Sequence, residues 1–216
     1  GASDAVLINS NSGHAHLTVN VTSAALSIVV SGTYTGTLTF NAQLSVSGTI
    51  TFISGMTLAG TTGPLVPHAA ATLTSGGKTI PCPMTFDVSA TYTLADNWSV
   101  TGLVTAGVTT GGTVLNGNQI TCAGGFTKGG TTATVGGTTK LVLTGGTWQS
   151  GGTGAINNSI DLAGNVTVSG AISVGQTSTP TLHYISGTIT TTGSAITAVG
   201  AQTWNTSGVT WADLTM

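Results

Sequence analysis

Apolar and hydroxyl-bearing residues alternate along most of the chain in short runs. In segments 16–21, 37–40, 49–52 and 165–168 every second side chain is apolar, and those between are mainly threonine or asparagine. A period of two places apolar side chains on one face of a strand and polar side chains on the other. No long stretch combines strong helix formers. The pattern therefore predicts an all-β protein built from many short strands.

A recurring corner separates these strands. An apolar β-branched residue followed by Ser-Gly occurs at 30–32, 46–48, 53–55, 168–170 and 185–187. Glycine permits a positive φ at a tight bend, and the β-branched residue anchors the strand before it. Many short strands joined by such corners are typical of a β-solenoid, a sandwich or a barrel.

A second spacing favours the solenoid, because residues 77–86 and 117–126 share Gly, Ile, Cys and Phe in the same slots. Stacked coils need such a constant spacing, and forty residues suit two coils of about twenty or one long coil. Extending the spacing gives three apolar columns: Phe40, Ile80, Ile120 and Ile160; Ala42, Cys82, Cys122 and Leu162; Val46, Phe86, Phe126 and Val166.

We therefore predict a right-handed parallel β-helix over residues 17–216, forming a single elongated domain. Residues 1–16 are expected to form an N-terminal extension or cap. A β-sandwich or barrel is the alternative. Because the final residues read as an interrupted strand, we also expect the natural protein to be longer.

Charge is scarce, since the chain has three Lys, five Asp, no Arg and no Glu, which is 4% charged residues. An ordinary soluble domain has about 25%. The net charge of −2 offers no positive field for phosphate, so we expect no nucleic-acid partner. No run of 18 apolar residues exists, so we expect no membrane insertion. The aspartates are scattered, and the sequence predicts a non-enzymatic protein without a cofactor.

The alternative function is a carbohydrate-binding or polysaccharide-degrading β-helix. Glycoside hydrolysis generally needs two carboxyl groups facing one sugar, and Asp87, Asp96 or Asp161 could contribute them if the fold brought them together. The tryptophans are candidate platforms for sugar rings, although such residues also seal coil ends or cover core edges. These four residues are Trp98, Trp148, Trp204 and Trp211.

Two further pairs could carry chemistry. On a strand, the imidazoles of His14 and His16 would share a face, and three copies around a threefold axis would supply six metal ligands. Cys82 and Cys122 occupy matching slots and would be close enough for a disulfide only if forty residues form one coil. Two buried free thiols are the favoured interpretation.

Threonine pairs suggest a third function, ice binding, because stacked coils would place them in a flat array. The pairs have irregular spacing in the sequence, so they are not expected to align at one position per coil. The pairs are Thr33/Thr35, Thr37/Thr39, Thr49/Thr51, Thr72/Thr74 and Thr91/Thr93.

With its Ser-Gly corners, its Thr-x-Thr strands and the segments 147–148 and 203–204 (Thr-Trp), the chain resembles the repetitive shafts of phage tail fibres and tail spikes. It is also similar to the stalks of bacterial surface adhesins. The resemblance implies a rigid extracellular fibre or spike component of a virion or cell surface. It further implies a homotrimer or association with other surface subunits, with a cell-surface glycan as a further partner. The histidine spacing at 14–16 resembles the His-x-His iron sites on the axis of trimeric phage fibres.

Overall fold

A computed structural model describes residues 4–9, 14–87, 89–108, 111–175, 181–191, 194–198, 203–205 and 214–215. These residues form 29 short strands and no helix, and every strand pairing is parallel. The strands build three long faces, which we call face 1, face 2 and face 3.

Face 1 contains β1 (Ala5–Ile8), β4 (Ser27–Val30), β7 (Ile50–Thr51), β10 (Ala71–Thr74), β13 (Thr91–Leu94), β16 (Gly112–Gly117), β19 (Thr134–Gly136), β24 (Ile172–Val174), β27 (Ile196–Ala198) and β29 (Leu214–Thr215). Face 2 contains β2 (Leu17–Val19), β5 (Thr37–Phe40), β8 (Thr57–Ala59), β11 (Thr79–Ile80), β14 (Trp98–Val100), β17 (Ile120–Cys122), β20 (Leu141–Leu143), β22 (Ile160–Ala163), β25 (Thr181–Ser186) and β28 (Thr203–Asn205). Face 3 contains β3 (Ser23–Ala25), β6 (Leu44–Val46), β9 (Leu65–Pro67), β12 (Met84–Thr85), β15 (Val104–Ala106), β18 (Gly125–Lys128), β21 (Thr147–Ser150), β23 (Val166–Ser169) and β26 (Ile189–Thr191).

The chain visits the three faces in rotation, so each circuit forms one coil of a β-solenoid of about eight turns. Ile156 bridges Val135 and Val174, which continues face 1 from β19 to β24. On face 2, β8 lies in contact with β11. The predicted parallel solenoid is confirmed, and the sandwich and barrel alternatives are wrong because successive coils stack on one another in parallel.

One coil takes about half of the forty-residue spacing. Leu17 pairs with Leu38, 21 positions on, and Phe126 pairs with Trp148, 22 positions on. Of the two periods left open by the sequence, the shorter coil is therefore the one that forms. The step varies between coils, because the corners differ in length.

Because the step varies, residues forty positions apart do not always lie in the same column of the core, and a predicted column can shift to the neighbouring inward position. Ile120 stacks on Leu141 and then on Ile160, as expected for one column. Ile80 instead stacks on Val100 and then on Cys122. All three isoleucines are nevertheless completely buried in one continuous core. The prediction of a shared apolar interior is confirmed, whereas the exact column membership of Ile80 is wrong.

The core is filled by the inward side chains of all three faces. In β5 the buried Leu38 and Phe40 alternate with half-buried threonines, which is the period of two seen in the sequence. Aromatic rings also contact each other in the core, with centroids 4.9 Å apart for Phe86 and Tyr92 around one corner, and 6.4 Å apart for Phe52 and Trp98 on different coils. Dense packing of this kind replaces the ion pairs that the composition cannot supply.

The Ser-Gly corners need glycine for two different reasons. Gly170 has a φ of +79°, which side chains rarely adopt. Gly48 has no such φ, but a Cβ there would lie 2.7 Å from the carbonyl oxygen of Leu26 on the preceding coil. The corner motif therefore marks both tight bends and places where two coils approach closely.

The solenoid already includes part of the predicted N-terminal extension. β1 lies within residues 1–16 and pairs with β4 over four residue pairs. The predicted boundary at residue 17 thus does not coincide with a break in the sheets, and residues 5–8 form the first strand of face 1.

Candidate functional site

The two tryptophans with described side chains lie in the core. Trp98 is 1% exposed and Trp148 is fully buried. The indole N–H of Trp98 donates to the carbonyl oxygen of Leu73 at 3.4 Å. A buried indole cannot stack on a sugar, so the prediction of carbohydrate contact is wrong for these two residues. The side chain of Trp204 and all of Trp211 lie outside the described residues.

The candidate carboxylates are held at separate places on the solenoid. Asp87 follows a strand of face 3 and contacts Nδ1 of His68 through both oxygens, at 2.8 and 2.9 Å. His68 is half exposed, and the pair lies on the outer surface of two successive coils. Exposed pairs of this kind contribute little to stability.

Asp96 lies at the corner between β13 and β14, where it joins two coils. Its carboxylate accepts hydrogen bonds from the backbone N–H of Ser75 at 2.7 Å, from the Ser75 hydroxyl at 3.0 Å and from the N–H of Gly76 at 2.8 Å. Ser75 is completely buried. All three donors are groups of the neighbouring coil, so the carboxylate of Asp96 holds its corner to that coil.

Asp161 lies on β22 in face 2, between a lysine and a histidine of the neighbouring coils. Its carboxylate is 3.1 Å from Nζ of Lys140 and 3.4 Å from Nδ1 of His183. Asp87, Asp96 and Asp161 are thus not brought together, so these three carboxylates do not form the two-carboxylate groove that the alternative function would need.

The histidine pair precedes β2 instead of lying on it. His14 and His16 are exposed, and Nδ1 of His14 contacts the hydroxyl of Thr35 on the next coil. The strand geometry that would align their imidazoles is therefore not present, because β2 begins at Leu17. Within the described ranges, no three His, Cys, Asp or Glu side chains gather as metal ligands. A metal site shared by three copies stays a prediction.

The two cysteines are buried free thiols, as the favoured interpretation expected. Cys122 stacks below Leu143 in face 2, whereas Cys82 lies beyond the end of β11. Burial raises the pKa of Cys82 to about 11 and also raises the pKa of Cys122. Both thiols are therefore protonated and unreactive at neutral pH.

Threonines align better than their spacing in the sequence suggested. On face 1, Thr49 and Thr51 stack below Thr72 and Thr74, because Ile50 pairs with Leu73. Thr93 then continues the first of these columns. The expectation that the pairs do not align is wrong over these coils, since the corners compensate for the irregular spacing.

Lys128 is a buried charge that the sequence did not single out. It lies at the end of β18, is completely buried, and donates from Nζ to the carbonyl oxygen of Gly130 at 2.7 Å. Burial lowers its pKa. Because inward and outward positions alternate along β18, residue 128 points inward like Phe126. This alternation is the sequence pattern that could have identified Lys128 as buried.

The N-terminal end of the solenoid has an apolar cavity. Its volume is about 250 Å³, and Ile8, Leu17, Ala25 and Ile28 contribute to its lining. Sequence reasoning missed it because the first coil has the same alternation as the coils that are covered on both sides.

Comparisons with protein-family models, with curated proteins and with solved structures found no match to this chain. None of the described residues forms an apolar helix long enough to cross a membrane.

Proposed function

We propose that this protein is an extracellular structural shaft, a fibre or spike component of a virion or cell surface that self-associates. The observation that carries the proposal is the continuous core, which runs without interruption through about eight stacked turns. A fold of this kind transmits force and sets a distance, and neither task requires a catalytic group.

The mechanical role follows from the hydrogen bonding. Each coil is tied to the next by backbone hydrogen bonds on the three faces, such as Ser47 N–H to the Ala25 carbonyl oxygen at 3.0 Å and Ala123 N–H to the Val100 carbonyl oxygen at 2.9 Å. These bonds run from coil to coil, so a pull along the solenoid loads three ladders in parallel. The apolar interior shields the ladders from water on one side.

Immunogold electron microscopy tests the proposal. An antibody raised against the purified chain should label appendages of the virions or cells that carry the gene. Labelling confined to the cytosol would contradict the proposal, whatever the oligomeric state of the protein.

A second candidate function, ice binding, is favoured by the aligned threonines of face 1. Thr49, Thr72 and Thr93 are exposed and occupy three successive coils of an uncharged surface. Inhibition of ice recrystallisation by the wild type, lost in Thr72→Lys and kept in Ile185→Lys, would support this function. Equal recrystallisation with and without the protein would exclude it.

A further inference from the structure

Five triplets in the sequence match the acceptor motif for N-linked glycans, which is Asn-x-Ser or Asn-x-Thr with any residue except proline at x. A threonine-rich chain forms such triplets by chance, so their surroundings in the structure must distinguish them. The side chain of the last asparagine lies outside the described residues. The triplets begin at Asn20, Asn97, Asn157, Asn165 and Asn205.

Among the described triplets, the first is the one whose three residues are all exposed. Asn20, Val21 and Thr22 occupy the corner between β2 and β3 and belong to no strand. A glycosyltransferase can therefore reach both the amide and the hydroxyl without displacing a core side chain. In the triplets that begin at 97, 157 and 165 the middle residue is buried: Trp98, Asn158 and Val166, respectively.

The side chain of Asn20 is held in a way that leaves its amide nitrogen accessible. Nδ2 of Asn41, one coil further on, donates to Oδ1 of Asn20 at 3.1 Å. This bond orients the carboxamide, and no described residue accepts a hydrogen bond from Nδ2 of Asn20. The Ser23 hydroxyl donates to the Val21 carbonyl oxygen at 2.8 Å and fixes the corner. The atom that would carry a glycan is thus both positioned and open to solvent.

The surface around this corner would gain from a hydrophilic cover. Val21 is 71% exposed, the largest exposed fraction among the described large hydrophobic side chains that reach the surface. Only 4% of the chain is charged, and a surface with few charges promotes association and precipitation. A glycan is bulky and solubilising. On Asn20 it would shield Val21 and hydrate the surface without adding ion pairs.

We propose that Asn20 is the acceptor of an N-linked glycan. The proposal rests on the extracellular function above, since only a secreted chain meets the transferase. The donor is an oligosaccharide joined to a lipid through a diphosphate. Nδ2 of Asn20 forms a bond to the anomeric carbon of the first sugar and loses one proton. The bond from that carbon to the diphosphate oxygen breaks, and the lipid diphosphate leaves with the electron pair.

Secretion of the full chain from cultured mammalian cells, followed by mass spectrometry of its peptides, tests the proposal. Peptide N-glycosidase leaves aspartate in place of a glycosylated asparagine, so conversion of Asn20 only after this treatment identifies the site. The wild type should show this conversion, and Asn20→Gln should lose the glycan. The matched control is Asn97→Gln, because Asn97 is also exposed but precedes the buried Trp98. This control should keep the glycan on Asn20.

Two variants of Thr22 separate recognition of the motif from a change in folding. Thr22→Ser keeps the hydroxyl and should keep the glycan, whereas Thr22→Ala should lose it although Asn20 is unchanged. An unmodified Asn20 in the secreted wild type would overturn the proposal, and so would a glycan on Asn20 that persists in Thr22→Ala. A chain without a glycan that still labels surface appendages would end this inference alone and leave the shaft function intact.

Discussion

Lys128 is the residue whose chemistry fits its surroundings least. Its ammonium group is fully buried and has the Gly130 carbonyl oxygen as its acceptor. Because burial lowers the pKa of Lys128 below the ordinary value of 10.5, the folded state binds this proton less tightly than the unfolded state. The desolvation penalty of the charged Lys128 therefore lowers the free energy of unfolding in full at pH values below the pKa that Lys128 has in the folded protein. Stability is regained as the pH rises from that pKa towards 10.5.

Lys128→Met should raise the free energy of unfolding at pH 7 by about 1–2 kcal/mol, since an apolar side chain of similar length carries no desolvation penalty. The gain should shrink as pH rises towards 10. Urea denaturation of both proteins from pH 7 to pH 10 measures it. The raised pKa values of the buried thiols lower the stability of both proteins at alkaline pH. This contribution cancels when the free energy of unfolding of the wild type is subtracted from that of the variant at each pH. A variant less stable than the wild type by the same amount at every pH would contradict this account.

Close approach between coils should make Gly48 intolerant of a side chain. Gly48→Ala would place a Cβ 2.7 Å from the Leu26 carbonyl oxygen, and overpacking of this kind costs about 1–3 kcal/mol. Gly136→Ala is the matched control, because its nearest neighbour would be 3.6 Å away and its φ is not positive. It should be neutral or slightly stabilising. Equal melting temperatures for the two variants would show that the coils are not this close.

At the scale of the corner, Asp96 should matter more than Asp87. Asp96→Ala removes the acceptor of three hydrogen bonds and leaves two backbone N–H groups of the neighbouring coil without it. Hydrogen bonds to charged groups contribute about 1.5–3 kcal/mol each, although their losses do not add fully.

We expect Asp96→Ala to lower the free energy of unfolding by about 2–4 kcal/mol. Asp87→Ala breaks only the exposed contact with His68 and should cost at most about 1 kcal/mol. Chemical denaturation of both variants decides the ranking. A larger loss for Asp87→Ala would mean that the exposed pair, not the corner, ties the coils together.

The strands could be predicted from the sequence, but their register could not. Alternation identified Leu38 and Phe40 as inward residues, and both are buried. The same alternation could not show that Trp98 and Ile120 stack in one column, because the number of residues in each corner sets the step between coils. The length of each corner depends on tight bends such as the one at Gly170, and the number of residues in such a bend cannot be read from the sequence.

The candidate site was harder to predict for a related reason. A tryptophan in an alternating run can face inward or outward, and a shift of one residue decides which. Trp98 and Trp148 both face inward. The apolar N-terminal end could not be recognised either, since Leu17 becomes exposed only because no described coil precedes it.

The whole molecule should be insensitive to salt. Its described ion pairs are few and partly exposed: Lys140 with Asp161, and the two histidine contacts. Exposed pairs contribute about 0–1 kcal/mol each, so raising NaCl from about 20 mM to 1 M should change the melting temperature by no more than about 2–4 °C. Calorimetry measures the change. A fall well beyond that range would show that electrostatic pairs hold the coils.

The most direct test of the account is whether residues about 21 positions apart stack on adjacent coils. Thr105 pairs with Thr127, and Thr85 pairs with Thr105, so an oxidised Thr105→Cys/Thr127→Cys protein should form a disulfide across adjacent strands about 5 Å apart. Thr85→Cys/Thr127→Cys spans two coils, about 10 Å, and should remain reduced under the same oxidant. Mass spectrometry of the digested proteins reads both outcomes, with the wild type as the control for its native thiols. A bridge in the second protein and none in the first would contradict the three-faced solenoid.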